Sequence, residues 1–240
     1  MFRGKRVLGI IPARGSSKRL PKKNIRCLCD KPLIGWTIVA GRDSKILDKL
    51  VVSTESIEIE RVTNDLGLTE VIKRSEILAG DDATINDAIV QVVNVMKKRG
   101  EQFEYIVLLQ PTSPLRTAEH IDAAFGLMEA RDSSGVISVC RTEHPVEWMG
   151  KLDPNGLLDS FILNTKLDQQ SQNFLPSYQI NGAIYITPVD GFLKEKSFFL
   201  KAGMVAYVMD RASSVDIDDE YDLQLAEWLL KQRENSFTGD

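Results

Sequence analysis

Short apolar runs alternate with segments of helical periodicity over the first 140 residues of the chain. The apolar runs have the length of strands and cover residues 7–11, 51–53, 105–109 and 136–139. Apolar side chains recur at helical spacing over residues 85–96, behind the possible caps Asp82 and Thr84, and over 121–128, behind Thr117. This alternation predicts an α/β fold with a mostly parallel sheet and right-handed crossovers.

The pattern changes after about residue 140, where turn signals and polar stretches interrupt it. Asp153-Pro154-Asn155-Gly156 predicts a turn at the tip of a hairpin. Apolar runs at 183–186 and 205–208 predict two more strands, and residues 220–231 predict a helix. That helix carries one apolar face, formed by Tyr221, Leu225, Trp228 and Leu229. We expect one domain over residues 1–240, with 141–179 as an excursion that packs on a partner subunit.

Composition narrows the class of protein. Of the 240 residues 43% are hydrophobic, which is enough for a core that needs no disulfides. The 30 Lys and Arg against 34 Asp and Glu give a net charge of −4, which disfavours general binding of nucleic acid. No apolar run approaches the roughly 18 residues of a membrane span, and the first run is too short for a signal peptide. Three irregularly spaced cysteines, Cys27, Cys29 and Cys140, favour a reduced cytoplasmic protein over a disulfide framework or a zinc site.

A basic, glycine- and serine-rich loop follows the first predicted strand. Five cationic side chains fall within ten residues, namely Arg14, Lys18, Arg19, Lys22 and Lys23. Open α/β sheets bind ligands at the C-terminal ends of their strands, where backbone N–H groups and cations can hold phosphate. Neither Gly-x-x-x-x-Gly-Lys-Ser/Thr nor Gly-x-Gly-x-x-Gly is present, so the loop predicts a phosphate site of another design. The alternative is a solvated connection.

Asp216 and Asp218 are a candidate pair of metal ligands. Two residues apart on an extended segment, they point to the same side, and paired carboxylates favour Mg²⁺. The alternative is capping of the C-terminal helix by Asp218, Asp219 and Glu220. Capping accounts for Asp219 and Glu220 but does not require Asp216.

Two further segments are weaker candidates for ligand recognition. Gln110 ends a buried strand at the same predicted sheet edge as Arg14, although it could simply begin a rigid connection to the next helix. Asn181-Gly182 predicts a turn before a strand. Phe198-Phe199 predicts a core or interface contact.

Together these segments resemble the bacterial N-acylneuraminate cytidylyltransferases, the CMP-sialic acid synthetases. The family motif Ile-Pro-Ala-Arg-Gly-Gly-Ser-Lys-x-Leu-Pro-x-Lys-Asn is matched by residues 11–24, with Ser16 as the main departure. Leu-Gln-Pro-Thr-Ser-Pro-Leu-Arg is intact at 109–116. Three other family motifs are matched at 74–81, 181–185 and 216–218, so the likeness extends over nearly the whole chain in the family's order.

The resemblance implies a Rossmann-like nucleotidyltransferase three-layer fold and a homodimer with a small dimerisation excursion. It implies that CTP and a nine-carbon 2-keto-3-deoxy sugar acid give the CMP-sugar and pyrophosphate, with Mg²⁺ as cofactor, for lipopolysaccharide or capsule biosynthesis. The implied nucleotide contacts are Ala13, Arg14, Gly15, Lys18, Lys23, Asn24, Arg74, Gly80 and Asp81. The implied sugar contacts are Gln110, Gln179, Asn181, Phe198 and Phe199. Asp216 and Asp218 are the implied magnesium ligands, and both are implied to be catalytic together with Arg14 and Lys23.

One departure from the family concerns the sugar. Gln172 and Gln179 stand where sialic-acid-specific members carry arginines, so the chain lacks a guanidinium fork for the sugar carboxylate. This favours a bacterial relative of sialic acid, such as legionaminic or pseudaminic acid. The alternatives are another sugar nucleotidylyltransferase of the Kdo type, and a non-catalytic nucleotide-binding protein.

Overall fold

The computed structural model describes residues 4–75, 84–163 and 170–237. Over these residues the strands are β1 Val7–Pro12, β2 Cys27–Leu28, β3 Lys31–Pro32, β4 Lys49–Thr54, β5 Val71–Lys73, β6 Tyr105–Leu108, β7 Gly135–Arg141, β8 Tyr178–Pro188 and β9 Met204–Met209. The helices are α1 Leu33–Asp43, α2 Ile57–Asp65, α3 Ile85–Lys98, α4 Ala118–Ala130, α5 Asp159–Leu163, α6 Val189–Glu195 and α7 Glu220–Phe237. No helix in this part of the chain is long and apolar enough to cross a membrane.

The described strands form one large sheet in the order β5-β4-β1-β6-β8-β7-β9, beside a small β2-β3 ribbon. Neighbouring strands are parallel except at β8, which runs antiparallel to both β6 and β7. The predicted α/β fold with a mostly parallel sheet is therefore confirmed. Ile10 pairs with Val51 and with Leu108, which brings the C-terminal ends of β1, β4 and β6 to one edge.

Two apolar clusters cover the two faces of this sheet, and strand β1 contributes to both. Val7 and Ile11 pack in the cluster that contains α1 and α4, whereas Leu8 and Ile10 pack in the cluster that contains α3. Alternate residues of a strand point to opposite faces, so a wholly apolar strand requires helices on both sides. The sheet is thus the middle of three layers, as the resemblance implies.

Two predicted caps begin their helices. The Thr84 hydroxyl accepts a hydrogen bond from the Asp87 N–H at 3.2 Å, and the Asp87 carboxylate accepts one from the Thr84 N–H at 3.1 Å. Thr117 precedes α4 and donates its N–H to His120 Nδ1 at 3.2 Å. Asp82, the other possible cap of α3, lies outside the described residues.

The excursion begins and ends at residues that pair with each other in the sheet. Arg141 pairs with Tyr178, and the Thr142 N–H donates to the Ser177 carbonyl at 2.9 Å. The turn predicted at 153–156 is present, since the Gly156 N–H donates to the Asp153 carbonyl at 3.0 Å. The predicted hairpin is wrong, because the described residues that flank this turn form no strands. The Asp153 carboxylate instead accepts the N–H groups of Asn155 and Leu157.

Helix α7 turns three residues of the predicted apolar face, Tyr221, Leu225 and Trp228, away from the core, whereas Leu229 packs partly buried against it. Its packing face consists of Leu223, Ala226 and Leu230, which are buried. Tyr221 is 74% exposed and Trp228 57% exposed. The helix therefore presents an apolar stripe to its surroundings in the single chain.

Candidate active site

A cleft of about 550 Å³ opens at the C-terminal edge of the sheet. It is lined by Pro12, Arg14, Ser16, Ser17, Lys18, Arg19, Lys23, Asn24, Arg74, Ile85, Gln110, Pro111, Thr112, Asp216 and Asp218. Four segments that are distant in the sequence thus meet in one cleft: the basic loop, the residue after β5, the loop after β6 and the paired aspartates.

The two oxygens of Asp218 each face a cation of the basic loop. Lys23 Nζ lies 3.1 Å from Asp218 Oδ1 and also donates to the Ile217 carbonyl at 2.8 Å. Arg19 Nη2 lies 2.8 Å from Asp218 Oδ2. Lys23 is mostly buried, with a side chain 14% exposed, whereas Arg19 is largely exposed. The basic loop and the acidic segment therefore neutralise each other when neither a phosphate nor a metal ion is bound.

The start of the basic loop is shaped by residues that offer little surface to a ligand. Ala13 is fully buried and donates its N–H to the Ser53 carbonyl at 2.9 Å, so the structure places it in the core instead of in contact with nucleotide. Gly15 donates its N–H to Glu55 and packs so closely that a Cβ would lie 2.9 Å from Ser56 Cβ. The Asn24 amide donates to the Arg14 carbonyl at 2.9 Å. These contacts fix the backbone around Arg14 and therefore the position from which its side chain extends.

Arg74 supplies a second guanidinium beside Arg14. Its Nε donates to Ser53 Oγ at 3.1 Å, and its N–H donates to the Thr54 carbonyl at 2.9 Å. Burial lowers the pKa of Arg74, the charge of Arg14 lowers it further, and Glu55 opposes both. Because neighbouring guanidinium groups repel each other, an anion bound between them is favourable. Gly80 and Asp81, the other predicted contacts of this segment, lie outside the described residues.

The segment that carries the two aspartates is fixed at its centre. Ile217 is fully buried and donates its N–H to the Thr112 carbonyl at 2.7 Å. Asp216 opens to the cleft but is closely surrounded by protein. This desolvation, together with the charges of Asp218 and Asp222, raises its pKa, whereas the Thr112 hydroxyl and Lys23 lower it. The charged form of Asp216 is thus less favourable than that of an aspartate in water, and a bound cation would stabilise it.

Helix capping is carried out by neighbouring carboxylates. Asp219 accepts the N–H groups of Tyr221 and Asp222, at 2.9 and 3.1 Å. Asp222 accepts the N–H groups of Asp218 and Asp219, also at 2.9 and 3.1 Å. Capping thus accounts for Asp219, whereas Glu220 pairs with Arg26. The carboxylates of Asp216 and Asp218 face the cleft.

Asp216 and Asp218 are the residues that could hold a metal ion. Within the described ranges, no group of three or more His, Cys, Asp and Glu side chains converges on one point. Two carboxylates suit Mg²⁺, which is commonly bound through one or two carboxylates, substrate phosphates and water. The donor set therefore fits Mg²⁺ that arrives with a phosphate ligand.

Strand β8 extends past the end of β6, so its early residues lie over the Gln110 loop. Leu108 pairs with Tyr185, which leaves Gly182 close to Gln110. Gly182 has φ +74°, and a Cβ there would lie 2.9 Å from Gln110 Oε1. Glycine is therefore required both by the backbone conformation and by the approach of the Gln110 side chain.

Asn181 is a scaffold residue. It is 3% exposed, and its Oδ1 accepts from Ser138 Oγ at 2.6 Å and from the Ala183 N–H at 3.2 Å. Its Nδ2 donates to Ser214 Oγ at 2.9 Å and to Met209 Sδ at 3.3 Å. All four hydrogen-bonding positions of the amide are occupied by protein. The predicted sugar contact by this side chain is corrected for that reason.

The remaining predicted sugar contacts lie elsewhere. Gln179 lines a second cavity of about 620 Å³, which adjoins the cleft at Asp216 and also contains Arg211 and His144. Phe198 is 2% exposed and packs on Phe192 at 4.8 Å between ring centroids, so the structure places it in the core. Phe199 is 55% exposed but lines neither the cleft nor this cavity in the single chain.

Three features near the cleft were not predicted from the sequence. The pairing of Arg19 with Asp218 had no signal beyond its place in the basic loop. Tyr185 lies close enough to Asp216 to be affected by its charge. Burial, and then the charge of Asp216, raise the pKa of Tyr185 to about 12. Arg116 is 2% exposed, and its only signal is that it ends the intact 109–116 motif.

Comparison with known proteins identifies the family of this chain. The cytidylyltransferase family model matches residues 8–234. The chain is 35% identical to the N-acylneuraminate cytidylyltransferase of Escherichia coli O18:K1:H7 over 231 residues, which are 96% of this chain and 53% of that protein. It is also 35% identical to the CMP-N,N'-diacetyllegionaminic acid synthase of Legionella pneumophila, over 94% of this chain and 97% of that protein. The chain thus spans about half the length of the first relative and nearly all of the second.

The fold has a close counterpart among solved structures. CMP:2-keto-3-deoxy-manno-octonic acid synthetase complexed with CTP superposes with a TM-score of 0.70 at 15% identity, over 95% of this chain and 99% of that one. At this identity the likeness concerns the fold alone. The family model, in contrast, covers nearly the whole chain, and residues of four of the five matched motifs, those at 11–24, 74–81, 109–116 and 216–218, line the cleft. The chain therefore belongs to the cytidylyltransferase family.

Proposed function

We propose that this protein transfers CMP from CTP to a nine-carbon 2-keto-3-deoxy sugar acid and releases pyrophosphate. The observation that carries the proposal is the convergence of the basic loop with Asp216 and Asp218 in one cleft. The relatives named for N-acylneuraminate and N,N'-diacetyllegionaminic acid support this class of substrate.

The cations of the cleft would hold the triphosphate. Arg14 and Arg74 line the same cleft, and a guanidinium can bind two phosphate oxygens at once. Lys23 and Arg19 already face an anionic partner in Asp218, so a phosphate can take over these contacts. Lys18 lines the same cleft and adds positive charge.

Asp216 and Asp218 would bind Mg²⁺ together with the phosphates. Bound Mg²⁺ neutralises charge on the transferred and leaving groups and lowers the pKa of an attacking hydroxyl. Asp216 and Asp218 would hold the cation, Asp216 lines both the cleft and the second cavity, and Thr112 keeps their segment in place through Ile217.

In the reaction, the anomeric hydroxyl oxygen of the sugar acid attacks the α-phosphorus of CTP. A phosphorus–oxygen bond to the sugar forms, and the bond from the α-phosphorus to the bridging oxygen of pyrophosphate breaks. The protein contributes orientation and fixed positive charge, which together account for most catalysis in such transfers. No histidine lines the cleft in the described part of the chain, whereas His144 lines the second cavity.

The sugar acid would occupy the second cavity, on the other side of Asp216. Gln110 approaches from the nucleotide side, and Gln179 lies on the wall of the second cavity. An amide at position 179 lacks the charge of a guanidinium, so we expect a preference for legionaminic or pseudaminic acid over N-acetylneuraminate.

We also propose that the protein is a homodimer that acts in the cytoplasm and supplies lipopolysaccharide or capsule biosynthesis. The dimer is supported by exposed apolar side chains on the excursion, at Leu152, Leu157, Leu158, Ile162 and Leu175. Leu175 is 88% exposed, and a cluster of this kind is typical of an interface.

Pyrophosphate release with CTP and Mg²⁺ tests the function against a panel of sugar acids: legionaminic, pseudaminic, N-acetylneuraminic and Kdo. We expect turnover with at least one nine-carbon acid and loss of turnover in Asp218→Asn, with Asp219→Asn as the matched control. Turnover with Kdo alone would favour the Kdo-type alternative. CTP binding without turnover on any sugar would favour a non-catalytic nucleotide-binding protein. A higher kcat/KM for N-acetylneuraminate than for the other acids would contradict the sugar preference.

A further inference from the structure

Arg116 is a buried cation without a carboxylate partner among the described residues. Its side chain lies at the base of the Gln110 loop and is 2% exposed. Its Nη1 donates to three backbone carbonyls, those of Gln110 at 3.2 Å, Ser113 at 3.1 Å and Ala183 at 3.2 Å. Nε and Nη2 are buried and have no partner in the described part of the chain. A charge buried in this way is costly, so an arginine here indicates a specific task.

The three carbonyls belong to two segments, of which the Gln110 loop lines the cleft and β8 lines the second cavity. Gln110 and Ser113 delimit the loop after β6, and Ala183 follows Gly182 on β8. Ser113 Oγ also donates to the Asn181 carbonyl at 3.1 Å, which joins the same two segments a second time. Arg116 therefore fixes the separation of the Gln110 loop and β8, which determines how closely Gln110 approaches Gly182.

The Gln110 loop in turn holds the paired aspartates. Its Thr112 carbonyl accepts the Ile217 N–H at 2.7 Å, between Asp216 and Asp218. Thr112 also hydrogen-bonds to Asp216 through its hydroxyl. A displacement of the loop would therefore displace the carboxylates, although Arg116 contacts neither of them.

We infer that Arg116 is a positioning residue that sets the Gln110 loop, and through it the Asp216–Asp218 segment, at the geometry needed for CMP transfer. The inference rests on the proposed function in one respect, because its kinetic test measures CMP transfer. Misplacement of reacting groups by about 1 Å costs on the order of 100-fold in rate, so the effect should fall mainly on kcat.

A charged group is required at this position. A neutral side chain would leave three carbonyls without a strong donor. A lysine has three donors, but burial without a carboxylate partner would lower its pKa, so it would lose its charge as the pH rises. Burial also lowers the pKa of Arg116, to about 9, which sets the upper pH limit for comparison of the variants.

The test compares Arg116→Met and Arg116→Lys with the wild type, with Arg42→Met as a control at an exposed arginine of α1. We expect Arg116→Met to lower kcat about 100-fold, with a smaller change in KM for CTP. Arg116→Lys should keep much of the activity at pH 6.5 and lose about tenfold relative to the wild type by pH 8.5. The control should stay within about twofold of the wild type, as surface substitutions usually do.

In the kinetic test, two outcomes overturn the inference. The first is a folded Arg116→Met variant with kcat within threefold of the wild type. If that variant does not fold, the lysine variant decides, and an activity ratio to the wild type that is constant from pH 6.5 to 8.5 contradicts the inference.

A wild-type chain that turns over no sugar acid would contradict the proposed function instead. The positioning is then measured by Mn²⁺ binding with electron paramagnetic resonance. We expect Arg116→Lys at pH 8.5 to weaken Mn²⁺ affinity by about tenfold or more relative to the wild type, as loss of a supporting contact does at metal sites. Equal Mn²⁺ affinity would overturn the inference.

Discussion

Asp216 and Asp218 lie two residues apart but have different electrostatic surroundings. Both oxygens of Asp218 face cations, whereas the surroundings of Asp216 raise its pKa. The charged form of Asp216 is therefore less favourable in the folded protein than in the unfolded chain. Above the ordinary pKa of an aspartate this destabilises the fold, and the loss is recovered as the pH falls through the raised pKa.

Asp216→Asn should separate stability from activity. At pH 7 the substitution removes the unfavourable charge, so we expect Tm to rise by about 1–2 °C, which is roughly half a kcal/mol after solvent screening. Transferase activity should be lost. Asp30→Asn is the control, because Asp30 pairs with Lys31 at 3.0 Å and its pKa is lowered. Thermal unfolding checks the prediction, and a lower Tm for Asp216→Asn than for the wild type would contradict it.

Among the elements, the start of α7 combines two tasks in adjacent residues. Asp219 and Asp222 cap the helix by accepting four backbone N–H groups, while Asp216 and Asp218 face the cleft. The sequence predicted both tasks but could not divide the aspartates between them, because the run Asp218-Asp219-Glu220 satisfies either one. The hydrogen bond from the Ile217 N–H to the Thr112 carbonyl fixes the rotation of the segment. It therefore decides which aspartates face the cleft and which cap the helix.

Asp219→Ala and Asp218→Ala should have opposite effects. Loss of the Asp219 cap should lower the free energy of unfolding by about 1 kcal/mol and leave more than about a third of kcat. Asp218→Ala should abolish transfer and cost less stability than the cap, since its ion pair with Arg19 is exposed and Lys23 keeps its hydrogen bond to the Ile217 carbonyl. Urea unfolding and pyrophosphate release measure the two properties. Loss of activity without loss of stability in Asp219→Ala would show that the tasks are divided differently.

For the molecule as a whole, the outstanding feature is apolar surface that the single chain leaves uncovered. The leucines of the excursion share this exposure with Ile180 at the start of β8 and with Trp228 on α7. The second cavity lies beside this surface, since Ile180 and Leu225 line it. A partner that covered the surface would also close the proposed sugar site.

Leu175→Glu combined with Leu157→Glu should convert the proposed dimer into a monomer. A charge at either position would be buried without a partner in the interface, which costs several kcal/mol. Ile57→Glu, at an equally exposed position on α2, is the control and should leave the dimer intact. Sedimentation velocity measures the mass. A wild-type chain that sediments as a monomer at micromolar concentration would refute the proposed homodimer.

Much of the fold could be predicted from local patterns. Strand β1 could be predicted because both of its faces are buried and its sequence is therefore wholly apolar. The start of α3 could be predicted because Thr84 and Asp87 form a capping box. The predicted hairpin failed because Asp153 satisfies the turn by itself and the described residues that flank the turn form no strands. Asn181 and Phe198 were predicted to contact the sugar because they belong to matching or neighbouring segments, but burial places one in a polar network and the other in the core.

The sequence by itself determined the α/β class, the basic character of the loop after β1 and the presence of a carboxylate pair, because these follow from periodicity, turn chemistry and charge within short segments. Only the tertiary structure decided that Arg19 and Lys23 face Asp218, that β8 reverses direction and extends over Gln110, and that Arg116 joins the two. These relations connect residues up to about 200 positions apart, and they arise from strand order and burial, which no local pattern encodes.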